Sequence, residues 1–131
     1  MSKLNIPKLI EYWKLGSEKD FHSASEIAGK TKEYVNALFL THLSIEKILK
    51  AHYVQKFKEH APFTHNLIQL ASKLELEIDD VGMLAQINEY NLRCRYPDDS
   101  YQIYKKATKA KAEKSLEYAL EFRKWIIKKL K

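Results

Sequence analysis

The chain is poor in the residues that punctuate loops and cross-link small folds. It has one cysteine, Cys94, so no disulfide can form within it. That usage fits a reducing compartment rather than a secreted, stapled domain. Three glycines and three prolines in 131 residues are too few for a loop-rich or low-complexity chain. Asn-Gly and Gly-Gly pairs are missing, and no segment keeps a period of two, which removes the usual hairpin signals. No apolar run reaches membrane-spanning length, and Met1 to Lys8 lacks the apolar stretch of a signal peptide, so a cytoplasmic protein is expected. Phosphate-cradling glycine loops and the Gly-x-Ser-x-Gly elbow are also missing. Five histidines are present, but none sits in a His-Glu-x-x-His pattern and Cys94 has no second cysteine at zinc spacing. Neither a metal nor another cofactor is therefore expected. Cys94 lies between two arginines and is read as a packed structural thiol.

What is present is helical periodicity from end to end. The length suits one domain with a sizeable core. The first helix should start at Pro7, carry Leu9, Ile10, Trp13, Ala24 and Ile27, and stop near Gly29. A second should run from Tyr34 to His60. After Pro62, Thr64 is the expected N-cap of a short third helix bearing Leu67, Ile68, Ala71 and Leu74. Asp79 and Asp80 should open a fourth, which ends before Pro97. Asp98, Asp99 and Ser100 are expected to cap a long fifth. Short connections make the expected architecture all-α, a five-helix up-and-down bundle of four long helices and one short.

Charge gives little direction. The 23 basic residues exceed the 17 acidic ones, for a net charge of +6. Such a balance favours nucleotides, nucleic acids and acidic proteins as partners. Yet the lysines of the last helix alternate with Glu113, Glu117 and Glu121, which reads as a solvated face. Few arginines also speak against a surface that reads bases.

Polar residues on apolar stripes are more informative, because buried polar groups must be paired or must line a cleft. Ser17 and Asp20 interrupt the first stripe. His42, Glu46 and Lys50 form an i, i+4 line on the second helix, read as a surface pairing. Asn88, Asn91 and Arg95 form another on the fourth. For Asp20, Glu46 and Arg95 two readings stand: a buried ion-pair network, or a polar groove that receives a ligand. His60 and His65, beside Pro62, are read as solvated loop histidines. Asn91-Leu92-Arg93-Cys94-Arg95-Tyr96-Pro97-Asp98 offers cationic and aromatic groups where a helix should stop.

The order of these features resembles the HEPN domain family of small prokaryotic helical proteins. The residues that carry the likeness are Tyr12-Trp13 and Asp20, then His42-Leu43-Ser44-Ile45-Glu46-Lys47-Ile48-Leu49-Lys50-Ala51, then Thr64-His65-Asn66-Leu67, then Arg95-Tyr96-Pro97-Asp98. The resemblance implies a five-helix bundle, usually dimeric, found in toxin–antitoxin and defence modules, often beside a small nucleotidyltransferase. Active ribonuclease members carry an arginine, four to six residues, then a histidine. Here no histidine follows His65, so neither Arg93, Arg95 nor Arg123 completes that motif. The expectation is therefore a nucleotide-binding or nucleotidyltransferase-partner protein without catalytic residues of its own. Its ligand-binding candidates are Asp20, Glu46, Asn91, Arg95 and Tyr96, with Arg95 on phosphate and Tyr96 stacked on a base. Asp20, Glu46, Asn91 and Arg95 are expected to meet in a groove between the first, second and fourth helices. The alternatives are a degenerate-site ribonuclease toxin acting on RNA, and a non-catalytic interaction module. Tyr34, Phe39, Leu40, Tyr53, Trp125 and Ile127 exceed what one helix face can hide, which together with the resemblance suggests a homodimer.

Overall fold

A computed structural model describes residues 4–93 and 105–131. Among the described residues the helices are, in order, α1 (Ile6–Lys30), α2 (Tyr34–Phe57), α3 (Leu67–Lys73), α4 (Val81–Arg93) and α5 (Lys109–Lys129). No strand occurs among the described residues. The all-α bundle of four long helices and one short thus stands as the sequence implies.

Helix ends follow side-chain chemistry. Asn5 caps α1 by accepting from the Lys8 amide at 3.1 Å, with proline in the first turn. Asp80 caps α4 through Met83 N–H at 3.0 Å, as its position before Val81 suggests. The third helix departs from expectation. Its cap is Asn66, which accepts from Gln69 N–H at 3.1 Å, whereas Thr64 Oγ1 accepts from Asn66 N–H at 3.1 Å. Thr64 therefore makes the turn that leads into the helix, and the residue two further on caps it. For α5 the cap is Thr108, on Lys111 N–H at 3.2 Å. The expected caps Asp98, Asp99 and Ser100 lie outside the described residues. α2 ends earlier than expected, at Phe57, because Lys58 turns left-handed with φ 57°.

The core is centred on α2. Leu38, Ile45, Ile48, Leu49, Ala51 and Val54 are inaccessible or nearly so. α2 packs against every other helix: along its length against α1, and against α3, α4 and α5 on its remaining sides. A helix apolar on all sides is an interior helix, so its polar residues are interior as well. Small residues let α1 approach. A methyl group on Gly16 would sit 3.1 Å from the Lys47 side chain, and Ser17 is fully buried. Ser17 Oγ donates to Ser44 O at 2.6 Å and accepts from Arg123 Nε at 2.8 Å. That one hydroxyl joins α1, α2 and α5. The Arg123 guanidinium also lies over the Phe21 ring at 5.4 Å, which gives a buried cation both a dipole and a π face.

Tyr34, Tyr53, Trp125 and Ile127 pack partly against the core, and Phe39 and Leu40 are half-buried. The large apolar side chains left exposed are others, among them Tyr12, Leu15 and Phe63. No helix among the described residues is long and apolar enough to cross a membrane.

Candidate functional site

The line His42, Glu46 and Lys50 is inside the protein, not on its surface. His42 is 0% exposed, Glu46 3% and Lys50 5%. Lys50 Nζ donates to Glu46 Oε2 at 3.1 Å and lies 5.2 Å from the Trp13 ring centre on α1. The other carboxylate oxygen, Oε1, accepts from His65 Nδ1 at 3.0 Å. His65 is thus not simply a solvated loop side chain. One face is fixed to Glu46 while the side chain stays half-exposed.

A second set of bonds holds the same loop. His42 Nε2 donates to the carbonyl of His65 at 2.9 Å. Leu67 N–H donates to Asn88 Oδ1 at 2.7 Å, and Asn88 Nδ2 donates to Asn66 Oδ1 at 3.0 Å. Residues 65–67 are therefore clamped between α2 and α4. With Nε2 carrying its proton, the other His42 nitrogen faces Glu46 Oε1 at 3.7 Å and has no hydrogen-bond partner among the described residues. Burial pushes the His42 pKa down to about 4, although the Glu46 charge and the His65 carbonyl oppose the shift. His42 is neutral at physiological pH.

Asp20 is engaged elsewhere. The Lys47 ammonium sits 2.7 Å from its Oδ2, in a half-buried charge contact off the line of a well-formed hydrogen bond. Both acids that sequence reasoning marked are thus matched to lysines of α2, Asp20 to Lys47 and Glu46 to Lys50. Each of the two acids sits in an ion pair. Among the described residues α1 packs on α2 and α5, whereas α4 packs on α2, α3 and α5. Asn91 is 3% exposed on α4, and its Oδ1 accepts no hydrogen bond from the described residues. Arg95 and Tyr96 lie outside the described residues, as does Cys94. The sequence reading missed His65. The signal available was its position directly after Thr64, the turn residue that swings this loop back onto α2.

Among the described residues no group of three or more His, Cys, Asp or Glu side chains could hold a metal. The arrangement can hold a proton on a carboxylate-backed imidazole and can offer an unused amide oxygen. It defines a small all-helical domain whose central helix carries a buried charged line. A family model for the HEPN domain matches residues 10–130, and the chain belongs to the HEPN domain family. The fold is similar to that of TT1696 from Thermus thermophilus, a crystal structure with TM-score 0.78 and 19% identity. That match covers 92% of this chain and 98% of the other. A comparison with curated proteins finds no match.

Proposed function

We propose that this protein is the nucleotide-binding or nucleotidyltransferase-partnering member of a two-component, toxin–antitoxin-like module. It acts as a cytoplasmic homodimer and does not use the Arg-x4-6-His ribonuclease motif. The observation that carries the reading is the end of α4. Asn91 is buried there with an acceptor that no described residue fills, and the sequence that follows brings Arg93, Arg95 and Tyr96. A buried amide oxygen without a donor is costly unless something supplies one, such as a ligand hydroxyl or base amine. Arg95 then holds phosphate and Tyr96 stacks on the base. Glu46 supports α4 indirectly, through His65 in the loop that Asn88 also holds.

Arg95→Ala is expected to weaken binding of a nucleotide roughly ten-fold or more, since a charge-assisted contact contributes about 1.5–3 kcal/mol. Titration calorimetry with a nucleotide panel measures it, beside melting temperatures of both proteins. Equal affinity for wild type and variant, or no binding of any nucleotide by either, sinks the reading.

One observation favours the ribonuclease alternative. The His65 imidazole is backed by the Glu46 carboxylate, and its Nε2 has no partner among the described residues. A carboxylate-oriented imidazole is general-base geometry. Cleavage of RNA by the wild type that is abolished in His65→Ala would decide for that alternative.

A further inference from the structure

The segment Leu74-Glu75-Leu76-Glu77-Ile78-Asp79-Asp80 stands apart in a basic protein, with four acids and no base. It alternates. Leu76 and Ile78 pack against the core, while Glu75, Glu77 and Asp79 are exposed. Glu77 and Asp79 make no ion pair among the described residues. Where this segment meets α5, a cleft of about 260 Å3 opens between Ile78, Asp79 and Asp80 on one side and Tyr118, Phe122 and Trp125 on the other. Glu121 stands at its rim.

The aromatic wall is ordered. Tyr118 and Phe122 are tilted at 5.8 Å between ring centres, and Phe122 and Trp125 meet edge to face at 5.6 Å. Tyr118 O–H donates to the Asp80 carbonyl at 3.3 Å, which ties the wall to the acidic loop. Burial, and then the charges of Asp80 and Asp79, push the Tyr118 hydroxyl up to about 12, so it stays protonated at neutral pH and the negative charge of the cleft rests on its carboxylates. The Trp125 ring already takes a cation: the Lys129 ammonium lies 5.0 Å from its centre. A face that draws a lysine from its own helix suits cations by the ring quadrupole.

We propose that this cleft between the 74–80 segment and α5 receives an arginine or lysine side chain of a partner protein. The aliphatic stem would lie along Ile78 and Trp125, with the charged head among Asp79, Asp80 and Glu121. Charge complementarity selects the occupant. The chain as a whole carries a net charge of +6, whereas three carboxylates, those of Asp79, Asp80 and Glu121, border this aromatic cleft. Arginine suits the site better than lysine, because its planar head can stack and bind a carboxylate at once.

The test uses the full chain and N-acetyl-arginine amide as the probe, with N-acetyl-glutamine amide as the uncharged comparison. The protein has two tryptophans, Trp125 in the cleft lining and Trp13 outside it, so their indole N–H signals give a reporter and a comparison in one NMR spectrum. The arginine probe should shift the Trp125 signal saturably and leave Trp13 unmoved. Asp79→Asn combined with Glu121→Gln should weaken that binding roughly five-fold, as expected for two exposed charges, with unchanged circular dichroism. Asp80 is left intact because it caps α4. No saturable shift, an equal response to the glutamine probe, or unchanged affinity in the double variant overturns the proposal. So does a Trp125 signal that moves on protein dilution alone while the arginine probe has no effect, since a second copy of this chain then fills the cleft.

Discussion

Glu46→Ala is expected to lower stability by about 3–5 kcal/mol, because it leaves the Lys50 ammonium buried without a counter-charge. The same change removes the acceptor of His65 Nδ1, so the loop clamp loosens with it. In a chain of this size the melting temperature should fall by about 10 °C or more. The pair itself need not be stabilising. Two charges taken out of water lose hydration that their attraction barely returns. Replacing both at once, as Glu46→Met with Lys50→Met, should therefore cost far less than Glu46→Ala alone. Chemical denaturation of Glu46→Met, Lys50→Met and the double variant measures the coupling. Single losses that simply add up in the double variant would show that Glu46 and Lys50 do not depend on each other.

Acid should destabilise the protein well above the range where carboxylates protonate. The folded-state pKa of His42, about 4, lies below its ordinary value of 6.5. As pH falls, the unfolded chain binds this proton first. The stability that neutral His42 contributes is therefore complete above pH 6.5 and is lost progressively as pH drops toward 4. The full effect is about 3 kcal/mol, at about 1.4 kcal/mol per pH unit. His52 acts in the same direction, its pKa lowered by burial and by the charges of Lys129 and Lys56. His42→Gln should be less stable at pH 7, where it loses a fitted hydrogen bond, yet show a flatter profile between about pH 4 and 6.5. Denaturation midpoints across that range measure both. Parallel profiles for the two proteins would show that His42 is not the group responsible.

Much of this architecture is legible in the residues. Helical spacing marks all five elements, and Asp80 before Val81 marks the start of α4. The depth of the His42–Glu46–Lys50 line is also implicit, because α2 has apolar residues on every side and an interior helix hides its polar residues too. Read as an isolated i, i+4 pattern, the same line suggests solvent. What decides is the number of neighbours around α2, which is a tertiary fact. Asn66 and Thr64 are equally good caps by type, and only the direction of the entering chain separates them. The Glu46–Lys50 pairing is legible as an i, i+4 spacing on one helix, whereas the partner of Asp20 is not: any cation on a neighbouring helix would serve, and Lys47 of α2 is the one the packing brings to it.

The Ser17 hydroxyl has a consequence for how the chain folds. Its bond to Ser44 closes a hairpin of two long helices joined by three residues, a short loop with little entropy to lose. Its bond to Arg123 spans 106 positions. The first contact can form while the rest of the chain is still searching; the second requires both ends of the molecule to be in place. The α1–α2 hairpin is thus built to nucleate, and α5 to arrive late and lock it. Once locked, α5 cannot peel away without exposing a buried guanidinium and stripping Ser17 of its donor. The last helix to dock should for that reason open only with the whole domain, and its amides should exchange at the slow, global limit rather than fray as a chain terminus usually does.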